Sequence, residues 1–175
     1  MVKRSNNNRI KNKGFTLLET IVAITVLTFA IMGPLELAAR SIGLAIVSKN
    51  QITAFYLAQE AMEYVKNKRD GNFLAHGSDW LTGLDGCLGA SGCYTDIPND
   101  NISVCAGGCP VLKYDNNGLY YNYFSGNDTI FTRTVKITTP VGGNPNEAKV
   151  QTTISWIEKL NSKTFTLEGN IFNWK

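Results

Sequence analysis

The chain opens with a polar, basic stretch and then changes abruptly to an apolar one. Residues 15–39 form an almost unbroken apolar run, interrupted by a few threonines and by the two carboxylates Glu19 and Glu36. A helix of these 25 residues rises about 37 Å, at about 1.5 Å per residue, which is enough to cross a bilayer. The pattern therefore predicts a membrane-spanning helix near the start of the chain.

The helix is expected to continue beyond residue 39, because apolar residues keep recurring at spacings of three, four or seven. That periodicity is typical of an amphipathic helix with one apolar face. We expect the helix to end near Arg69, with Gly71 closing it, and Gly33-Pro34 to weaken or kink it, because proline removes a backbone hydrogen bond. The predicted apolar stripe consists of Ile42, Ala45, Ile52, Phe55, Ala58, Met62 and Val65.

Residues 72–117 are rich in glycine and predicted to be irregular, whereas strand patterns begin near residue 119. Apolar and polar residues alternate over 130–139, 150–156 and 165–171, and a tyrosine-rich stretch covers 119–124. In the first of these, Phe131, Val135 and Ile137 share one face, with Arg133 as an exception. Three or four antiparallel strands with one apolar face need a cover, which the amphipathic half of the helix can supply. The predicted fold class is α+β.

Four cysteines lie close together in the glycine-rich segment. An even number after an export signal favours two disulfides in an oxidising compartment. Zinc is the alternative, but the spacings C-x5-C and C-x3-C do not match the usual C-x2-C pairs, and no histidine lies close enough in sequence. The four cysteines allow three disulfide pairings, and the pairing with two short-range bonds is favoured. They are Cys87, Cys93, Cys105 and Cys109.

The charge distribution argues against nucleic-acid binding. The formal net charge is +3, but five basic residues precede Gly14 and the rest of the chain has a net charge of −2. A basic leader before an apolar run suits the cytoplasmic side of a membrane, and no basic stripe remains for nucleic acid. The basic residues of the leader are Lys3, Arg4, Arg9, Lys11 and Lys13.

Enzyme chemistry is not predicted. The sequence has no nucleophile elbow, phosphate-binding glycine loop or H-E-x-x-H motif. The single histidine, His76, is interpreted as a surface residue. Asp96, Asp100 and Asp115 are interpreted as solvated turn residues; a calcium site lacks an EF-type spacing but stays open. No cofactor, metal or small-molecule substrate is expected.

Glu19 is the residue that a simple membrane anchor does not explain. An ionised carboxylate inside an apolar span costs about 2.5 kcal/mol or more, so an unpaired one suggests a function. Cleavage after Gly14 would expose the amino group of Phe15 about one helical turn away. That positive charge could neutralise Glu19 on the same chain or on a neighbour in a bundle of helices.

These residues resemble a known signal. The stretch Gly14-Phe15-Thr16-Leu17-Leu18-Glu19 is similar to the prepilin cleavage and methylation motif of type IV pilins and type II secretion pseudopilins. The resemblance implies that a prepilin peptidase cuts after Gly14 and N-methylates Phe15. It also implies that Glu19 acts in assembly and that the fold is a ladle of helix and sheet. In this family the region of Pro34 often melts in the filament; a passive kink in the membrane is the alternative.

Less specific motifs also resemble those of minor pilins of the PilV type and secretion pseudopilins. They lie at residues 56–63, 131–135, 150–156 and 171–174. The domain organisation expected is a cleaved leader at 1–14, a membrane and assembly half-helix at 15–39, and a head at 40–175. The resemblance implies a structural subunit whose partners are the membrane, the peptidase and other pilin subunits. Its location would be the inner membrane before assembly, then a surface or periplasmic filament. A major pilin, or a membrane-anchored binding domain that never polymerises, stays open.

Overall fold

The computed structural model describes residues 14–75 and 79–173. The chain divides into two compact units, the first ending at Ile46 and the second beginning at Val47. Residues 1–13 with the basic side chains of the leader, His76 and Trp174 lie outside the described residues. The domain boundaries proposed after residues 14 and 39 stay predictions.

The first unit consists of the early part of helix α1 (Leu17–Leu74). Its described residues are exposed, except for the half-buried Gly43. The hydroxyls of Thr20, Thr25 and Thr28 donate hydrogen bonds to backbone carbonyls three or four residues earlier. These side chains therefore satisfy their hydrogen bonds within the helix, as an apolar environment requires.

Helix α1 differs from the predicted helix in its end and in its buried face. It continues to Leu74, so Gly71 lies inside the helix instead of closing it, and Pro34 also lies within it. Ala58, Met62 and Val65 are buried, as the periodicity suggested. The predicted stripe was wrong at Ile42, Ala45, Ile52 and Phe55, which are all exposed.

The second unit contains the remainder of α1, a short 3₁₀ helix (Asp85–Cys87) and one antiparallel sheet of seven strands. The α+β class is confirmed, but the count of three to four strands was too low. Three additional strands lie in the segment that was predicted to be irregular. The strands are β1 (Cys93–Asp96), β2 (Asn101–Val104), β3 (Val111–Asp115), β4 (Tyr120–Asn122), β5 (Asn127–Thr138), β6 (Glu147–Glu158) and β7 (Asn161–Phe172).

Strand β5 organises the sheet because it pairs on both edges. On one edge it pairs with β6, which in turn pairs with β7. On the other edge it pairs first with β3, up to Val111 opposite Thr132, and then with β1 at Cys93 opposite Val135. The β3–β4 and β1–β2 hairpins therefore follow one another along the same edge of β5.

The core lies between the sheet and the part of α1 that belongs to the second unit. Small residues such as Ala54, Ala58 and Ala61 are fully buried, which allows the helix backbone to approach the strands closely. Strand β5 alternates between buried and more exposed positions over most of its length, as a strand with one covered face must. Two apolar clusters result: one around Met62, Val65, Val135, Val150 and Ile171, and one around Leu57, Leu112, Phe131, Ile154 and Trp156.

The turn between β6 and β7 leads to a stability prediction. Glu158 pairs with Asn161, so Lys159 and Leu160 alone form the loop, and both have left-handed backbones (φ 46° and 70°). Two-residue hairpin loops of this kind favour Asn-Gly, because side chains are strained at positive φ. We expect the double substitution Lys159→Asn and Leu160→Gly to raise the free energy of unfolding by about 1 kcal/mol. Chemical unfolding of the full chain measures this change in free energy. An unchanged unfolding midpoint would contradict the prediction.

Candidate functional site

The predicted processing site lies just before α1. Gly14, Phe15 and Thr16 precede the helix and are exposed, with Phe15 75% exposed. The hydroxyl of Thr16 accepts a hydrogen bond from the backbone N–H of Glu19 at 3.3 Å. Thr16 therefore caps the helix, and the Thr-x-x-Glu order is that of a capping box. The Gly14–Phe15 peptide bond lies outside regular structure, where a peptidase can reach it.

The two carboxylates of the apolar run differ in their surroundings. Glu36 pairs with Arg40 at 2.6 Å, one helical turn away. The carboxylate of Glu19 has no hydrogen-bond or ion-pair partner within residues 14–75 and 79–173. A capping box would place it on the backbone N–H of Thr16, but only the Thr16 half of the box is formed. Glu19 is thus available to a group from outside the described chain.

The part of helix α1 that belongs to the first unit has the composition of a membrane span. Of the helices in the described part of the chain, α1 is the one long and apolar enough to cross a bilayer, and the apolar stretch near its N-terminus is unburied. Pro34 lies inside this helix and lacks the N–H that would bond to the preceding turn. The predicted processing site therefore precedes the helix that carries the lone carboxylate and the apolar span.

The cysteines of the second unit form two disulfides. Cys87 joins Cys93, and Cys105 joins Cys109. Cys87 and Cys93 are fully buried and belong to the apolar core. The bonds connect the 3₁₀ helix to β1 and close the turn after β2, so both lie at the end of the β1–β2 hairpin opposite its own turn.

Arg133 is the largest fully buried side chain of the molecule's described part. Its Nη1 donates to Glu60 Oε2 at 2.7 Å and to the carbonyl oxygen of Leu57 at 3.3 Å. Its Nη2 donates to the carbonyl oxygen of Thr95, and the guanidinium carbon lies 6.0 Å from the centre of the Tyr123 ring. One side chain from β5 thereby connects α1 and β1. Burial raises the pKa of Tyr123, so its hydroxyl stays neutral.

A second polar cluster holds the turn of the β1–β2 hairpin against α1. Asp100 accepts hydrogen bonds from the hydroxyl of Tyr64 at 2.9 Å and from Lys68 Nζ at 2.8 Å. The hydrogen bonds from Lys68 and then Tyr64 lower the pKa of Asp100 below its ordinary value of 3.8. Burial and the nearby Asp100 raise the pKa of Tyr64.

This cluster leads to a pH prediction for the hairpin turn. Because the folded-state pKa of Asp100 is depressed, its stabilising contribution is present above pH 3.8 and is lost as the pH falls through the lower folded value. We expect hydrogen exchange of the turn at 97–100 to accelerate below about pH 4, after correction for the intrinsic rate. The Asp100→Asn variant should exchange fast already at pH 6. Equal protection in both proteins at pH 6 would contradict this role.

The acidic turn residues do not form a metal site. Within the described residues no three His, Cys, Asp or Glu side chains are placed to hold a metal ion. Asp115 caps its own turn: the backbone N–H of Asn117, the hydroxyl of Ser125 and the N–H of Gly118 lower its pKa. Asp96 accepts from Asn99 at 2.8 Å, and Asp100 bonds to α1. Asp96 and Asp100 thus serve the turn of the β1–β2 hairpin, and Asp115 serves the turn between β3 and β4.

The arrangement defines a class of protein: an α+β unit that follows an apolar, membrane-compatible helix with an exposed site at its start. A family model described as the prokaryotic N-terminal methylation motif matches residues 9–33. This match supports a type IV pilin-like protein and points to a structural subunit instead of an enzyme. It also fits a membrane-anchored precursor. Comparisons with curated proteins and with solved structures give no match.

Two features of the second unit were not predicted from the sequence. Arg133 was noted only as an exception on an apolar face, although a cation in such a position is itself a signal of a buried partner. The polar residues that meet around Asn122, among them Asn99 and Asn101, formed no recognisable motif, because the two segments that supply them are separated in sequence. The leader residues of the matched motif, 9–13, lie outside the described residues.

Proposed function

We propose that the chain is a minor pilin or pseudopilin, a structural subunit of a type IV pilus or a related type II secretion filament. A prepilin peptidase cuts after Gly14 and methylates the new amino group of Phe15. The observation that carries the proposal is the match of the methylation motif to residues 9–33, with an unpartnered carboxylate at Glu19 in the helix that follows. The mature chain then waits in the inner membrane until it enters a filament.

The assembly step follows from the chemistry of α1. Apolar side chains that contact lipid can exchange it for the same residues of neighbouring helices at little cost, so register must come from polar groups. The amino group of Phe15 supplies one positive charge and Glu19 one negative charge. Their pairing between subunits selects one register, because a mismatched register leaves both charges unpaired in apolar surroundings. Pro34 gives the helix a point at which it can yield within the bundle.

Mass spectrometry of the mature amino terminus tests the processing. We expect the membrane-bound protein from its native host to begin with N-methylated Phe15. The matched variant Gly14→Val should keep the full leader, because a branched side chain replaces the residue before the cut. An intact leader in the native protein would instead support the membrane-anchored binding domain that never polymerises.

The proportion of the chain in sheared filaments distinguishes a minor from a major subunit. We expect immunolabelling and quantitative mass spectrometry to find it at a small fraction of the most abundant filament protein. A content equal to that of the main subunit would identify a major pilin. Its confinement to a periplasmic filament, without surface pili, would support a pseudopilin.

A further inference from the structure

A neutral, polar cavity that is open to solvent lies on the second unit. Its volume is about 440 Å³, within the range of small-molecule pockets. It forms between the turn of the β1–β2 hairpin and the segment from the start of β4 to the turn before β5. The residues that line it are Asn99, Asn101, Tyr120, Asn122, Phe124 and Ser125.

Several contacts hold the residues around the cavity in place. The ring of Tyr94 on β1 lies 4.6 Å, between centroids, from that of Tyr123, which follows β4. The β1–β2 hairpin is also bound to α1 through Asp100 and fixed by the two disulfides. These contacts tie both sides of the cavity to the core, so its polar groups are preorganised for a ligand.

Asn122 has a hydrogen-bond requirement that the described chain does not meet. Its side chain is buried, with 2% exposed, and its Oδ1 accepts from the backbone N–H groups of Phe124 and Ser125 at 2.8 and 2.7 Å. These two donors fix the orientation of the amide. Its nitrogen is buried and finds no acceptor among the described residues. A ligand acceptor that reached this nitrogen would satisfy a donor that is otherwise unpaired.

The other lining groups leave acceptors available. Asn99 donates one amide N–H to Asp96 and Asn101 one to Ser103, which leaves a second N–H and the amide oxygen of each side chain. The hydroxyl of Ser125 donates to Asp115, so its lone pairs remain. The cavity therefore offers the buried Asn122 donor, further amide N–H groups and several acceptors. A hydroxyl group, which both donates and accepts, matches this mixture.

The charge and the aromatic surface of the lining residues favour one class of ligand. No lining residue is charged, so an anion would meet amide oxygens without a compensating cation, and a metal ion would meet the Asn122 donor without a carboxylate. Phe124, 66% exposed, and Tyr120, 41% exposed, add aromatic surface at the cavity. Aromatic surface favours a ligand with an apolar face as well as hydroxyls. A sugar ring combines both.

We propose that this cavity binds a neutral carbohydrate, with Asn99, Asn101, Asn122 and Ser125 bonding hydroxyls and Phe124 contacting the apolar face of the ring. A peptide is the alternative, but its backbone offers one N–H per residue, at intervals longer than the spacing of hydroxyls on one sugar. The proposal goes beyond the structural role in a filament and does not require assembly.

The test uses the full chain in a zwitterionic detergent, because detergents with sugar headgroups would compete. A printed array of neutral and acidic oligosaccharides is probed first, and the strongest neutral oligosaccharide is then titrated by calorimetry. We expect saturable binding of neutral sugars. Phe124→Ala should weaken it by about tenfold through loss of the aromatic contact. Asn122→Asp, which keeps the two accepted backbone bonds and removes the amide donor, should also weaken it.

Leu160→Ala is the matched control, because this apolar side chain is 99% exposed and does not line the cavity. It should bind the sugar as the unmodified chain does. Because Phe124 is largely exposed, its variant should keep the original unfolding temperature even if Asn122→Asp does not fold. Absence of sugar binding, equal binding of acidic sugars, selective binding of peptides, or unchanged affinity in Phe124→Ala would each overturn the proposal. The outcome is separate from processing at Gly14, which mass spectrometry decides.

Discussion

Glu60→Ala is expected to lower the free energy of unfolding by about 3 kcal/mol. The substitution leaves the guanidinium of Arg133 buried, with its exposed fraction at 0%, and removes its only anionic partner among the described residues. Loss of one partner from a buried ion pair costs about 3–5 kcal/mol. The lower end applies because the Glu60 side chain is 39% exposed and partly screened by water. Tryptophan fluorescence during chemical unfolding measures it, since Trp156 lies in the adjacent core.

Glu63→Ala is the matched control on the same helix. Glu63 pairs with Lys66 at 2.9 Å, but both side chains are exposed, so its loss should cost less than about 1 kcal/mol. The double substitution Glu60→Leu and Arg133→Met should recover much of the lost stability, because no unpaired charge remains buried. If Glu60→Ala and Glu63→Ala unfold at the same denaturant concentration, Arg133 does not depend on Glu60.

The sequence predicts the parts of the fold that repeat over many residues. Helix α1 and strands β5, β6 and β7 are long, so their periods of about 3.6 and 2 stand out from local variation. Strands β1, β2 and β3 have only four or five residues each and lie in a segment rich in glycine and cysteine. Such short strands form because β5 offers them a pairing edge, which is tertiary context that a local pattern does not contain.

The candidate sites also differ in how far they could be predicted from the sequence. Gly14, Phe15 and Glu19 are close in sequence, so their spacing alone indicates a function. Arg133 instead bonds to residues 38 and 73 positions away, and the carbohydrate cavity joins a hairpin turn to a loop after β4. These sites depend on how the β1–β2 and β3–β4 hairpins share one edge of β5. The sequence identifies Arg133 as unusual, but only the sheet topology shows what it contacts.

Glu19→Ala is expected to reduce incorporation into filaments by about a hundredfold while leaving insertion into the membrane unchanged. Under the proposed function, the amino group of Phe15 would remain unpaired inside a helical bundle, and loss of one partner of a buried pair costs about 3–5 kcal/mol. Insertion should persist, because alanine makes the span more apolar. Quantitative mass spectrometry of the sheared-filament and membrane fractions measures both effects.

Two variants separate the charge of Glu19 from its position in the helix cap. Glu19→Gln removes the charge but keeps a residue that suits the third helical position of a capping box, whereas Glu36→Ala removes the exposed pair with Arg40. If the charge selects register, Glu19→Gln fails to assemble and Glu36→Ala assembles normally. If Glu19→Gln assembles as the unmodified chain does, assembly does not require the negative charge at this position. In that case the charge pair with Phe15 is not the basis of assembly.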